Sequence, residues 1–167
     1  QLPDAATASR AVPIYQTTSY VFDSTDHAAS LFNLQTFGNV YSRMMNPTNA
    51  MLEERLATLE GGRAGLVVGS GMAAQMVALL TLLEAGDELV AASTLYGGTY
   101  SQFDYTFRRM GIQTHFVDPD DPENFAKAIT PATKAVYAET IGNPLNNVLN
   151  ISAVAQIAHD ANLSLIH

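Results

Sequence analysis

Apolar and polar positions follow two regimes along the chain. Through residues 1–24, "VPIYQTTSYVF" sits among Ala, Thr, Ser and Pro with no helical or strand period, and this predicts an arm lying on another surface. Asp26 can cap a short helix running to about Asn33, and "TFGNVYSRMMNP" reads as an extended loop. Asn46 followed by Pro47 is a cap and first-turn pair. It opens a helix with Leu52, Leu56 and Leu59 on one face and Glu53, Glu54 and Arg55 on another, ending at Gly61-Gly62.

Beyond this point apolar runs of strand length alternate with helical patterns. Strands are expected at about 64–69, 88–92, 112–117, 134–139 and from 163 onward, and helices at about 71–84, 98–110, 122–129 and 151–161. Gly86 is read as closing one helix and Asp121-Pro122 as opening another, while Ile151, Val154 and Ala158 recur at helical spacing. Runs such as "GLVV" and "ELVAA" are apolar throughout, which suits parallel strands covered on both faces. The pattern predicts an α/β domain of repeated right-handed crossovers, organised as an arm with first helices over 1–62 and a sheet domain over 63–167. The closing "LSLIH" reads as a strand that stops at His167, which predicts a chain cut inside a larger domain.

Composition narrows the partners. With 47% hydrophobic and 14% charged residues, the 167-residue chain has the balance of a globular domain with a real core. Its formal charge of -8 disfavours a general polyanion such as nucleic acid, so any phosphate site must be local. The absence of cysteine excludes disulfides and zinc-thiolate sites, and makes a cytoplasmic setting the default. The opening "QLPDAATASR" lacks the basic-then-apolar signature of a signal peptide, and no membrane contact is expected.

In open parallel sheets ligands bind beyond the carboxyl ends of the strands. There the chain places "GSGM", "STLYGG", "DPDD" and "ETIGNP". A strand feeding a helix through Gly69-Ser70-Gly71 leaves the first helical N–H groups free to meet an anion. Ser70 suits the N-cap, and its hydroxyl can add a donor; the two glycines also suit a plain tight turn. Gly69, Gly71 and Ala74 satisfy the dinucleotide pattern G-x-G-x-x-G/A of a nucleotide-binding Rossmann-like module, but "VAASTLYGG" offers no ribose-binding acid. No Lys follows the glycines as a Walker loop requires. His27, His115, His159 and His167 lack ligand spacing, so no metal is expected; "DPDDPE" reads as a turn and helix cap. Tyr96, ahead of Gly97-Gly98, is placed to lay a ring on a planar heterocycle, or is an ordinary loop tyrosine. Tyr41 and Arg43, two apart in an extended segment, project to one side as a phosphate clamp needs; a solvated arginine is the alternative.

The segments "AVPIYQTTSYVF", "YSRMMNPTNAMLEERLATLEGG", "GSGMAAQ", "LYGGTY" and "ETIGNP", in this order and spacing, resemble the Cys/Met-metabolism family of pyridoxal 5'-phosphate (PLP) enzymes. The resemblance covers essentially the whole chain. Within the family, "FGNVYSRMMNPTN" and "AETIGNP" are most similar to the O-acetylhomoserine sulfhydrylase branch, with cystathionine gamma-synthase and methionine gamma-lyase as alternatives. It implies the first part of a fold type I, PLP-transferase-like large domain: a mostly parallel sheet with flanking helices behind an N-terminal arm.

It further implies that the N–H groups of Gly71 and Met72, with Ser70, hold the cofactor phosphate, that Tyr41 and Arg43 reach it from a neighbouring subunit of a homodimer or homotetramer, and that Tyr96 stacks on the pyridine ring. Tyr96 is also the candidate for proton transfer, and Asn143 would lie near the 3'-oxygen and the substrate carboxylate. The implied reaction is replacement of acetate on an amino-acid substrate by sulfide or a thiol, giving homocysteine or methionine. One departure stands out. The lysines are Lys127 and Lys134, and neither lies where the family's Schiff-base lysine is expected, so the resemblance implies that this piece alone is inactive.

Overall fold

The structure is a computed structural model that describes residues 3–167. The chain forms two compact units, the first ending at Val68 and the second spanning Gly69–His167.

In the first unit, α1 (Thr25–Phe32) is capped by Ser24, whose Oγ accepts the His27 N–H at 3.0 Å. The cap is therefore Ser24 and not Asp26; Asp26 instead contributes its charge to the first turn, where the helix dipole favours it. α2 (Pro47–Glu60) begins as expected, with the Asn46 side chain accepting the Thr48 N–H and Gly61 in the left-handed conformation at its end. The segment between them is not simply extended. It makes a single antiparallel bridge, Ser19 to Tyr41, and then turns, with the N–H groups of Met44 and Met45 both donating to the Tyr41 carbonyl.

The strand expected over 64–69 is absent. A strand exists only through a partner's ladder, and no described segment pairs with this stretch. The Val67 N–H goes to Glu53 Oε1 at 2.9 Å instead, and Leu66 stays largely exposed.

The second unit holds α3 (Gly71–Leu80), β1 (Glu88–Ala92), α4 (Gly97–Ser101) continuing into a π-helical segment (Gln102–Phe107), β2 (Gln113–Val117), α5 (Glu123–Ala128), β3 (Thr133–Tyr137), α6 (Ile151–Asp160) and β4 (Ser164–Ile166). α3 stops at Leu80, earlier than the hydrophobic pattern suggests, and Gly86 belongs to the turn before β1, where its N–H meets the Gly111 carbonyl. The four strands are all parallel, in the order β2-β1-β3-β4. β1 is central and buried from Leu89 to Ala92, as that apolar run requires. Phe103, Phe107 and Phe125 are completely buried in the core around it, each contributing about 1.5–3 kcal/mol by removal from water. α5 packs on β1, β2 and α6, while α6 covers β4 with Val154 and Ala158.

Strand order locates the cleft. After β1 the chain moves to one side to form β2, then crosses to the other side for β3. The loops leaving β1 and β3 therefore part at their carboxyl ends, which is the switch point where α/β sheets take ligands.

Candidate functional site

The loop after β1 contains Tyr96 and the loop after β3 contains Glu139; the Tyr96 N–H donates to Glu139 Oε1 at 2.9 Å, bridging the switch point. Above it opens a cavity of about 560 Å³, lined among others by Ser70, Gly71, Met72, Tyr96, Glu139 and His167. Its wall is the start of α3. Ser70 Oγ accepts the Ala73 N–H at 3.1 Å and its carbonyl accepts the Ala74 N–H, so those donors are spent inside the helix. The N–H groups of Gly71 and Met72 meet no acceptor among the described residues. Two free amides at the positive end of a ten-residue helix, beside a hydroxyl whose proton is still available, suit an anionic group.

The Tyr96 ring lies against this helix start. A Cβ added to Gly98 would fall 2.5 Å from Tyr96 Cε1 and 3.3 Å from Met72 Sδ, so only glycine lets the ring rest there. The following loop is shaped by a similar contact. A Cβ at Gly142 would meet Asn147 Oδ1 at 2.2 Å and Thr94 Oγ1 at 2.6 Å. This close approach lets the Asn143 N–H reach the Thr94 carbonyl at 3.3 Å, with a cis bond between Asn143 and Pro144.

The cavity thus gathers four of the sequence-derived candidates, Ser70, Gly71, Met72 and Tyr96. Asn143 lies in the adjoining loop but not on the cavity wall. Tyr41 and Arg43 belong to the first unit, where the Arg43 guanidinium sits 5.6 Å from the Tyr41 ring centre. The two lysines are remote from the cleft: Lys127 is exposed on α5 beside Asp121, and Lys134 is exposed at the amino-terminal end of β3.

Reading the sequence missed Gln75, Thr99, Tyr137 and Glu139, which also line the cavity. Glu139 was within reach, since it follows a strand. Gln75 gave no signal, because a polar residue in a helix ordinarily faces water. Burial, and secondarily the charge of Glu139, pushes the Tyr137 phenol above its ordinary value, so it remains a hydrogen-bond donor at neutral pH.

These features define an α/β domain whose switch point meets the amino end of a helix, an arrangement suited to a phosphorylated planar ligand. The chain belongs to the Cys/Met metabolism PLP-dependent enzyme family, whose profile matches residues 1–167. It is 58% identical over 166 residues to an O-acetyl-L-homoserine sulfhydrylase of Leptospira meyeri, covering 99% of this chain and 38% of that protein. It is 54% identical to a homocysteine synthase of Schizosaccharomyces pombe, covering 99% of this chain and 39% of that one. Among solved structures, a Campylobacter jejuni chain assigned as an O-acetylhomoserine (thiol)-lyase superposes with a TM-score of 0.92 at 40% identity, over 96% of this chain and 40% of that one. That chain carries N'-pyridoxyl-lysine-5'-monophosphate. The present chain spans about two fifths of the length of these relatives.

Proposed function

We propose that the whole protein replaces the acetate of O-acetylhomoserine with sulfide or a small thiol, giving homocysteine or methionine, and that the cleft at the switch point holds the phosphate of PLP. The observation that carries this reading is the pair of unpartnered N–H groups at Gly71 and Met72, opening onto a cavity faced by the Tyr96 ring. A phosphate monoester bears about -1.5 to -2 charge at neutral pH, and free amides at a helix start are suited to it. When bound, the cofactor supplies a sink for the electrons released at the amino-acid carbon.

The chain's own groups do the rest. Gly71 and Met72 donate to phosphate oxygens, and the Ser70 hydroxyl, still free to donate, adds a third contact. The Tyr96 ring stacks on the pyridine, and its phenol moves protons to and from the substrate carbons. Asn143 approaches the 3'-oxygen and the substrate carboxylate. Tyr41 and Arg43 complete the phosphate site from a neighbouring subunit of a homo-oligomer, working in the cytoplasm. Because Lys127 and Lys134 are remote from the cleft, the covalent anchor lies outside residues 1–167 in this reading, and the present chain alone is inactive.

The test uses the complete protein, purified with and without PLP. It should bind the cofactor stoichiometrically and release acetate from O-acetylhomoserine only when sulfide or thiol is supplied. A Tyr96→Phe variant should retain PLP but lose about 10²- to 10⁴-fold in turnover, the range for a displaced proton-transfer group. Full turnover in that variant would remove the proton-transfer role, and failure of the parent protein to bind PLP would end the reading itself.

A further inference from the structure

The parts of the cleft meet at one side chain to which the reaction gives no role. Gln75 lies one turn beyond the free amides on α3. Its Oε1 accepts hydrogen bonds from the Thr99 hydroxyl at 3.1 Å and the Tyr137 phenol at 3.2 Å, and its Nε2 donates to Gln102 Oε1 at 2.5 Å and to Met72 Sδ at 3.4 Å. Thr99 and Tyr137 are only 2% and 9% exposed, so their hydroxyls have little recourse to water.

Each partner belongs to a different part of the site. Thr99 lies in the helical turn that follows Tyr96, Tyr137 ends β3 two residues before Glu139, and Gln102 opens the π-helical segment. Such π turns are frequent at functional sites. A primary carboxamide is the side chain that offers a two-lone-pair acceptor and a two-hydrogen donor at one point, as these partners require. Neither an apolar side chain nor a hydroxyl of that length meets them all.

We propose that Gln75 is a positioning residue that fixes the Gly71 and Met72 amides in register with β3 and with the Tyr96 turn, without itself touching the cofactor. This rests on the PLP reading of the cleft. Loss of the carboxamide lets the start of α3 shift against its neighbours, and two donors aimed at one phosphate lose their common focus.

The test is made on the full-length enzyme. Apoenzyme is titrated with PLP by absorbance, and the visible circular dichroism of the bound cofactor is recorded for the parent, Gln75→Met, Tyr137→Phe and the double variant. Gln75→Met should raise the PLP dissociation constant about tenfold and reduce the dichroism, whereas Tyr137→Phe, which removes one of four bonds, should cost about threefold. The double variant should cost no more than Gln75→Met alone, because both changes act on one contact. A general packing defect would instead lower thermal stability and leave the dichroism of the bound fraction unchanged.

Parent-like affinity and dichroism in Gln75→Met overturn the proposal while leaving the PLP reading intact; a parent enzyme that does not bind PLP overturns both. Should Gln75→Met fail to fold, Tyr137→Phe carries the decision, since it approaches the same carboxamide from the strand side. Unaltered binding and dichroism in that variant refute the proposal.

Discussion

At Gly98 a single hydrogen atom decides where an aromatic ring rests. Gly98 is the second residue of α4, where alanine is better than glycine by about 1 kcal/mol in intrinsic helix preference. Yet a methyl group there would stand 2.5 Å from the Tyr96 ring and force it off the start of α3. The two effects oppose one another and are separately measurable. Gly98→Ala in the complete enzyme should melt at the parent temperature or slightly above it, while turnover falls about 10- to 100-fold as the ring is displaced by roughly 1 Å. Differential scanning calorimetry and steady-state kinetics on the same preparation check both halves. A variant that is fully active would show that the ring's resting place is immaterial to the chemistry.

Among the elements, β1 and α3 mark the boundary of what could be read from residues alone. After Glu88 the run Leu89–Ala92 is apolar, short and bounded by turns, and Glu88–Ala92 forms a central strand because it has neighbours on both sides. Residues 64–69 carry the same signature but find no ladder partner among the described residues. Periodicity reports which faces want cover; it does not report whether a partner strand stands beside them. The start of α3 was legible because Gly-Ser-Gly before good helix formers is local chemistry. The carboxamide of Gln75 was not, because its meaning depends on Thr99 and Tyr137, which lie 24 and 62 residues further along the chain.

β1 also carries an acid-responsive group, Glu88, at the end opposite the cleft. The Thr130 hydroxyl, donating to Glu88 Oε2 at 2.6 Å, is the main influence holding the Glu88 carboxyl below its ordinary 4.5; burial opposes it, and the nearby His115 imidazole adds to the lowering. A carboxyl depressed in the fold stabilises it at every pH above its unfolded value. That contribution is lost as pH falls from about 4.5 through the folded value. Glu88→Gln in the complete protein should therefore flatten the stability profile below about pH 4.5. Urea unfolding midpoints measured across that range give the answer, and an unchanged acid slope would place the sensitivity elsewhere.

At the level of the whole molecule, the proposed phosphate contacts are divided between two compact units. The amides of Gly71 and Met72 belong to the unit beginning at Gly69, while Tyr41 and Arg43 belong to the unit ending at Val68. The proposal that the second pair acts on a neighbouring subunit makes a statement about assembly that kinetics can test. Arg43→Ala should weaken PLP binding about 10- to 100-fold, since a charge-assisted contact to phosphate is lost. A subunit bearing Arg43→Ala still offers intact amides and an intact Tyr96, and one bearing Tyr96→Phe still offers Arg43. If each site draws on two subunits, a mixed pair contains one site with both defects and one with neither, so subunits impaired separately regain activity on mixing. If Arg43 serves the cleft of its own chain, every site in the mixture carries one defect and mixing restores nothing. Co-expression of the two variants under different affinity tags, followed by isolation of doubly tagged oligomers and assay at limiting PLP, distinguishes these outcomes. Recovered turnover with parent-like cofactor affinity is the result expected; activity no higher than the average of the two variants would return Arg43 to its own subunit.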